Sequence, residues 1–356
     1  MGKVETAAVG TWEHRGVRYG IRRWSGPALA GRANVPTPAG RGVCDLRVDE
    51  ATGRSAYDPR ADEAAGRDAY GPRSDRDANR GARDSRSGCI AARDVCERTA
   101  APIVLLHGFA QSAASWDGVA RLLAKACPVI AFELVGHGGS DRPRDPASYA
   151  LEAQAEALHA FLAGFETKPV VVGYSMGGRI ALAAAVRDPR AFAAHAAALV
   201  LESVGLGPAD DDERAASARR DAANAARLRA DGLAAFMEDW ERLPLFATQR
   251  ALPSDVRERV RAERMSGDAE ALARSFEHAG QHAMPARADV LAALAALRDE
   301  GLPVQYVAGA CDAKYRALAA LLATEGLCAS HVIEAAGHNV HLEKPAAFVQ
   351  VVRQLG

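Results

Sequence analysis

An open, mostly parallel α/β sheet with helices on both faces and one helical block set into it is the architecture this sequence predicts. Three observations carry the prediction. From about residue 100 onward short apolar runs recur, stretches of helical pattern separate most of them, and one long interval holds helical pattern alone. Strands buried on both faces read as continuous apolar runs, and alternating them with helices gives a parallel sheet wrapped on both sides.

The elements follow in order. "GVRYGIRRW" (Gly16 to Trp24) alternates like a strand and is expected to pair with the residues before it as a hairpin, making 1–24 a first piece of the core. From 25 to 99 the composition turns to Arg, Asp, Gly, Ala and Pro, with no Trp, Phe or Lys. Such a stretch buries too little apolar area to offset its ordering entropy, so a disordered insertion is expected. Its charges nearly cancel, which favours a solvated run over an interaction tail. The core then begins in earnest over 100–207, with apolar runs "PIVLLHG", "PVIAFEL", "PVVVGYS" and "AALVLES". Residues 208–284, which include "DDERAASARRDAANAARLRADGLAAFMEDW", carry no strand run. A helical block between two strands of an open parallel sheet should lie over the strands' C-terminal edge, where ligands bind, so it is predicted to be a cap. Residues 285–356 return to the core with "PVQYVAG" and "SHVIEAAGH".

Composition narrows the function classes. With 49% hydrophobic residues the chain can bury a full core, and its net charge of -1 supplies no global field toward nucleic acid or an anionic membrane. Neither partner is expected, and any bound anion must meet locally placed arginines. No apolar run approaches the ~18 residues of a membrane span, and "MGKVETAAVG" lacks the apolar region of a signal peptide. A cytoplasmic protein is the expectation. The six cysteines show no C-x-x-C spacing, which argues against a zinc site or a disulfide framework. No metal and no cofactor are expected, and nothing sets an oligomeric state.

The chemistry concentrates in "VVVGYSMGGRI" (Val170 to Ile180). A strand ending in Gly-Tyr-Ser-Met-Gly and running straight into a helix is the G-x-S-x-G nucleophile elbow, which holds Ser175 on the sheet's top edge. The helix N-terminus beside it favours developing negative charge. Such a serine needs an acid and then a histidine downstream. "VAGACD" puts Asp312 just past a strand, and "EAAGHNVHLEKP" puts His338 in the loop after the last one. The competing readings are a helix N-cap for Asp312 and a satisfied loop histidine for His338. His341 falls one turn too late. The oxyanion hole should use the amide after the nucleophile, Met176, and that of Phe109 in "LLHGF". Together these motifs predict an α/β-hydrolase fold, which hosts many reactions.

"LHGFAQSAASW", "GHGGS", "GYSMGGR", "WERLPLF", "GACDAKYRALA" and "GHNVHLEKP" together resemble the 2-succinyl-6-hydroxy-2,4-cyclohexadiene-1-carboxylate synthases of menaquinone biosynthesis, from about Ala101 to the end. The resemblance implies elimination of pyruvate from an enolpyruvyl cyclohexene with several carboxylates, a small anionic substrate, by a Ser-His-Asp base assembly. It also implies substrate-contacting roles for Tyr174, Arg179, Trp240 and Arg264. Position alone fits Arg179 equally to a surface helix residue, and pattern alone also fits Trp240 to the core of the block. An arginine is further expected near Ser217; Arg214, Arg219 and Arg220 stand closest, and Arg214 is taken as the candidate. The chain departs from the family at "ELVGHGGS", with Glu133 where Asp and Val135 where Pro are usual, so the loop is expected to sit differently at the pocket rim. A carboxylic-ester or carbon–carbon bond hydrolase is the alternative. A non-enzymatic scaffold has no use for an intact Ser175, Asp312 and His338 set.

Overall fold

The computed structural model of the chain describes residues 8–26, 47–48 and 101–355. Apart from Ser25, Gly26 and one two-residue strand, the segment expected to be a disordered insertion lies outside the described residues. The strands are β1 (Ala8–His14), β2 (Val17–Trp24), β3 (Arg47–Val48), β4 (Ile103–Leu106), β5 (Val129–Phe132), β6 (Val170–Tyr174), β7 (Ala198–Glu202), β8 (Val304–Gly309) and β9 (Ala329–Ile333). They form one sheet in the order β3-β1-β2-β5-β4-β6-β7-β8-β9. Every apolar run read from the sequence is a strand. The β1–β2 hairpin turns through Arg15 (φ 49°) and Gly16 (φ 77°), the left-handed pair whose twist matches the flanking strands. Arg47–Val48 pairs with β1 on the sheet's edge, inside the segment where no strand was expected.

From β5 to β9 all neighbours are parallel, and side chains alternate across the sheet. Val104 and Leu106 join one apolar cluster and Ile103 and Leu105 the other, so each face of β4 has its own core. Helices α1 (Asp117–Leu123), α2 (Leu151–Ala163), α3 (Met176–Arg187) and α4 (Pro189–His195) connect the first parallel strands. Because β4 lies between β5 and β6, chain direction across the sheet reverses there. The loops after β4 and β6 therefore meet at a switch point, where open α/β sheets bind ligands.

Between β7 and β8 come α5 (Asp211–Glu241), α6 (Ser254–Met265), α7 (Ala269–Ala279) and α8 (Arg287–Asp299); α9 (Ala313–Thr324), α10 (Val340–Glu343) and α11 (Pro345–Arg353) follow. Helix α5 breaks at Gly232 (φ 78°, ψ 171°), a conformation that glycine adopts freely. The chain leaves the sheet and returns at one stem, where the Arg287 amide donates to Pro208 O at 2.8 Å. Among the described residues, no helix is long and apolar enough to cross a membrane.

Candidate active site

Ser175 sits in the turn between β6 and α3 with φ 48° and ψ -104°. A non-glycine residue persists there only when its surroundings over-determine it. They do so here: its amide donates to Glu202 O of β7 at 2.9 Å, and its carbonyl accepts from the Arg179 amide at 3.1 Å. The glycines of the motif are places where backbones touch. A Cβ on Gly173 would stand 2.5 Å from Gly178 Cα, and one on Gly177 would run into Leu106 O and lie 2.7 Å from His107 O. The Gly177 amide donates to His107 O at 3.0 Å, binding the elbow to the loop that carries Phe109. Met176 opens α3, so its amide is one of the helix N–H groups without an intrahelical acceptor.

Three elements distant in sequence meet at the serine. His338 Nε2 lies 3.2 Å from Ser175 Oγ, and His338 Nδ1 lies 2.9 Å from Asp312 Oδ2. With Nδ1 donating to the carboxylate, Nε2 is left to accept from the hydroxyl, the arrangement a serine needs from its base. Asp312 does two things at once, since its Oδ1 also accepts from the Tyr315 amide at 3.4 Å to cap α9. The histidine and the aspartate are both buried, and the rings of Tyr315 and Tyr174 pack 4.7 Å and 5.4 Å from the imidazole. Burial pushes the Tyr174 phenol well above its usual pKa. His341, one turn beyond, serves the packing beneath the site. Its Nδ1 pairs with Glu202 Oε2 at 2.7 Å, both side chains fully buried, with the Tyr174 ring 5.0 Å away.

A cavity of about 430 Å³ opens onto this serine, walled by the sheet edge and by residues of α5, α6 and α7. Phe109, Tyr174, Arg179, Trp240 and Arg264 all line it. Arg179 is part of the cavity wall and not a surface residue: its Nη2 donates to Ala279 O at 3.1 Å, its Nε is buried without a partner, and burial lowers its pKa. Trp240 packs on Phe109 at 5.2 Å and Phe236 at 5.6 Å, as a core residue of the block would, and it also lines the cavity. Arg264 is buried over the Phe246 ring at 4.8 Å, with Gln249 Oε1 at 3.1 Å and Glu241 Oε1 at 3.4 Å.

Arg214 is a correction. It is absent from the lining, because its Nη1 donates to the carbonyls of His282 (2.6 Å) and Met284 (2.9 Å) and staples the stem of the block. Arg220, an alternative on the same helix, lines the cavity instead, as do Arg227, Lys314, Tyr315 and Gln281, which sequence reasoning did not single out. Lys314 and Tyr315 stand in "GACDAKYRALA", two and three residues after Asp312, and that nearness was the available signal. Arg179, Arg220, Arg227, Arg264 and Lys314 thus share the cavity lining with two carboxylates, Asp221 and Asp239. Both carboxylates have partners already, Asp221 in His282 at 2.9 Å and Asp239 in Arg227 at 2.5 Å. The surplus is positive and suits a polyanion. The "ELVGHGGS" loop does not reach the rim; Glu133 turns inward, accepting the Ala113 amide at 2.9 Å and the Gly139 amide at 2.6 Å, and Val135 is fully buried.

The sequence pattern described as "Alpha/beta hydrolase family" matches residues 103–351. The 2-succinyl-6-hydroxy-2,4-cyclohexadiene-1-carboxylate synthase of Klebsiella pneumoniae (strain 342) is 33% identical over 257 residues, which cover 71% of this chain and 92% of that protein. The chain belongs to this synthase family of α/β hydrolases. Among solved structures, MenH from S. aureus superposes with a TM-score of 0.65 at 26% identity, over 72% of this chain and 92% of that one. A malate-bound thermophilic esterase from Thermogutta terrifontis does so with a TM-score of 0.56 at 25% identity, over 72% and 89%. Both superpositions cover most of the residues described from Ala101 onward.

Proposed function

We propose that the chain eliminates pyruvate from 2-succinyl-5-enolpyruvyl-6-hydroxy-3-cyclohexene-1-carboxylate to give 2-succinyl-6-hydroxy-2,4-cyclohexadiene-1-carboxylate. The observation that carries the reading is the set of cations lining the cavity onto which the Ser175–His338 pair opens. A pocket built for neutral esters has no use for them.

The names of substrate and product fix the bond changes. The substrate's C3=C4 bond becomes C2=C3 and C4=C5, so a proton leaves C2 and the oxygen substituent leaves C5. C2 carries the succinyl carbonyl, so loss of its proton builds an enolate. Ser175 Oγ takes that proton as its own passes to His338 Nε2, while Asp312 steadies the imidazolium. The Phe109 and Met176 amides are the donors for the enolate oxygen. Collapse of the enolate shifts the ring double bond and breaks the C5–O bond, and His338 returns the proton to the departing enolpyruvate, which ketonises to pyruvate. Arg179 and Arg264 hold carboxylates as planar forks, with Tyr174 and Trp240 shaping the pocket. No bond from Ser175 to substrate carbon forms.

The test is to offer the purified protein the enolpyruvyl cyclohexene and follow pyruvate release and diene absorbance, with nitrophenyl esters in parallel. Pyruvate with slow ester cleavage is expected. Rapid ester turnover through a covalent burst, and no pyruvate, would move the assignment to an ester hydrolase.

A further inference from the structure

The chemistry above leaves Glu263 of α6 unused. Its Oε1 accepts from the Ser112 amide at 2.8 Å and the Ser112 hydroxyl at 2.6 Å. Burial raises the pKa of this carboxylate against the pull of these bonds. Taking a carboxylate out of water is unfavourable unless such donors offset it. The donors belong to the loop after β4: Ser112 lies three residues past Phe109, beyond Ala110 at φ 56°. On its sheet side the same loop is held by Glu133, which takes the Ala113 amide at 2.9 Å. One end of the grip is therefore the sheet and the other the helical block. The next residue of α6, Arg264, goes into the cavity.

We infer that Glu263 is a positioning residue: by gripping Ser112 it sets the loop that bears the Phe109 amide, and it makes the oxyanion site depend on a docked helical block. The inference rests on the proposed function only for which oxygen is stabilised. Any reaction at Ser175 that builds an oxyanion uses the same loop.

The experiment compares Glu263→Ala, Glu263→Gln and Ser112→Ala with the wild type in the full chain. Pyruvate release from the cyclohexene and the Ser175-dependent cleavage of nitrophenyl acetate are both followed, with thermal denaturation alongside. Losing an oxyanion donor outright costs about 10²- to 10³-fold in rate, so a loosened one should cost about tenfold or more. Glu263→Ala is expected to lower kcat on both substrates by the same factor with KM little changed; Gln, which keeps an acceptor, restores most of it, and Ser112→Ala falls between. Unchanged kcat with only a lower melting temperature overturns the inference. So does a loss confined to KM for the anionic substrate, which would assign Glu263 to placing Arg264. If the alanine variant does not fold, unchanged kcat in both Glu263→Gln and Ser112→Ala is the overturning result. A wild type that makes no pyruvate would sink the proposed function alone, since the ester arm still reads the loop.

Discussion

Replacing Arg179 with Met should separate function from stability. The guanidinium engages Ala279 O at 3.1 Å, leaves Nε buried and unpartnered, and is a desolvated cation of lowered pKa. Methionine keeps much of the apolar stem and removes the charge. On the stability side one hydrogen bond is lost, about 1 kcal/mol, while an uncompensated charge is relieved, so the melting temperature should hold or rise. On the functional side a substrate carboxylate is left without its partner in a part-buried pocket, a loss of about 3–5 kcal/mol. At about 1.4 kcal/mol per decade this is roughly two to three and a half decades in kcat/KM for pyruvate release. Lys should restore only part, being a point charge without the planar fork. The substrate should also raise the melting temperature of the wild type and not of the variant. A kcat/KM within about threefold of wild type, under about 0.7 kcal/mol, would refute the assignment of Arg179 to the substrate. A fall in melting temperature of more than about 4 °C, about 1 kcal/mol or more, would show that the arginine serves the fold.

Ser175→Ala and His338→Ala should each reduce pyruvate release by several decades and the double variant little further, because the members act as a unit; additive losses in steady-state assays would argue against that. Gly177→Ala should destabilise by about 3 kcal/mol or more, since the new Cβ meets backbone at Leu106 and His107 that cannot yield; an unchanged denaturant midpoint contradicts the packing. Raising salt should increase KM for the anionic substrate and leave a neutral ester nearly unaffected, as initial rates across a salt series will show. Acid stability should depend on Arg229, whose hydrogen bonds hold the exposed Glu270 down at about 2 from an ordinary 4.5. A depressed folded-state value means the contribution is present above pH 4.5 and lost as pH falls towards 2. Melting curves of Arg229→Met should show less change across that window than wild type; parallel curves would remove the ion pair from the account.

Where local sequence determined local structure, reading was direct. The strand–turn–helix around Ser175 is written in neighbouring residues, and Asp312 and His338 follow from chain order once strands are placed. Arg214 shows the limit. On a helix carrying Arg214, Arg219 and Arg220, the residue that reaches the cavity depends on how α5 docks, and docking is set by Gly232 and by partners some 70 positions away such as Met284. Glu133 had the same difficulty: its type signals a departure from the family, but only the fold shows its carboxylate turned inward onto the Ala113 and Gly139 amides. Glu263 was not legible at all, lying in an exposed-looking charged run, "RERVRAERM", whose partner Ser112 is 151 residues away.

The double engagement of Asp312 bears on how this chain can change over evolutionary time. One oxygen caps α9 and the other orients His338, so most substitutions damage folding and chemistry together. Glutamate moves the carboxylate one methylene away from both partners, and alanine abandons both. Asparagine is the exception: it is as good a helix cap as aspartate, yet its amide fixes the wrong imidazole tautomer. A descendant released from catalysis thus has one cheap mutational exit that keeps the architecture. Asparagine at this position in a relative with an intact serine would mark a protein that has stopped turning over substrate and still presents the same cation-lined cavity to anions.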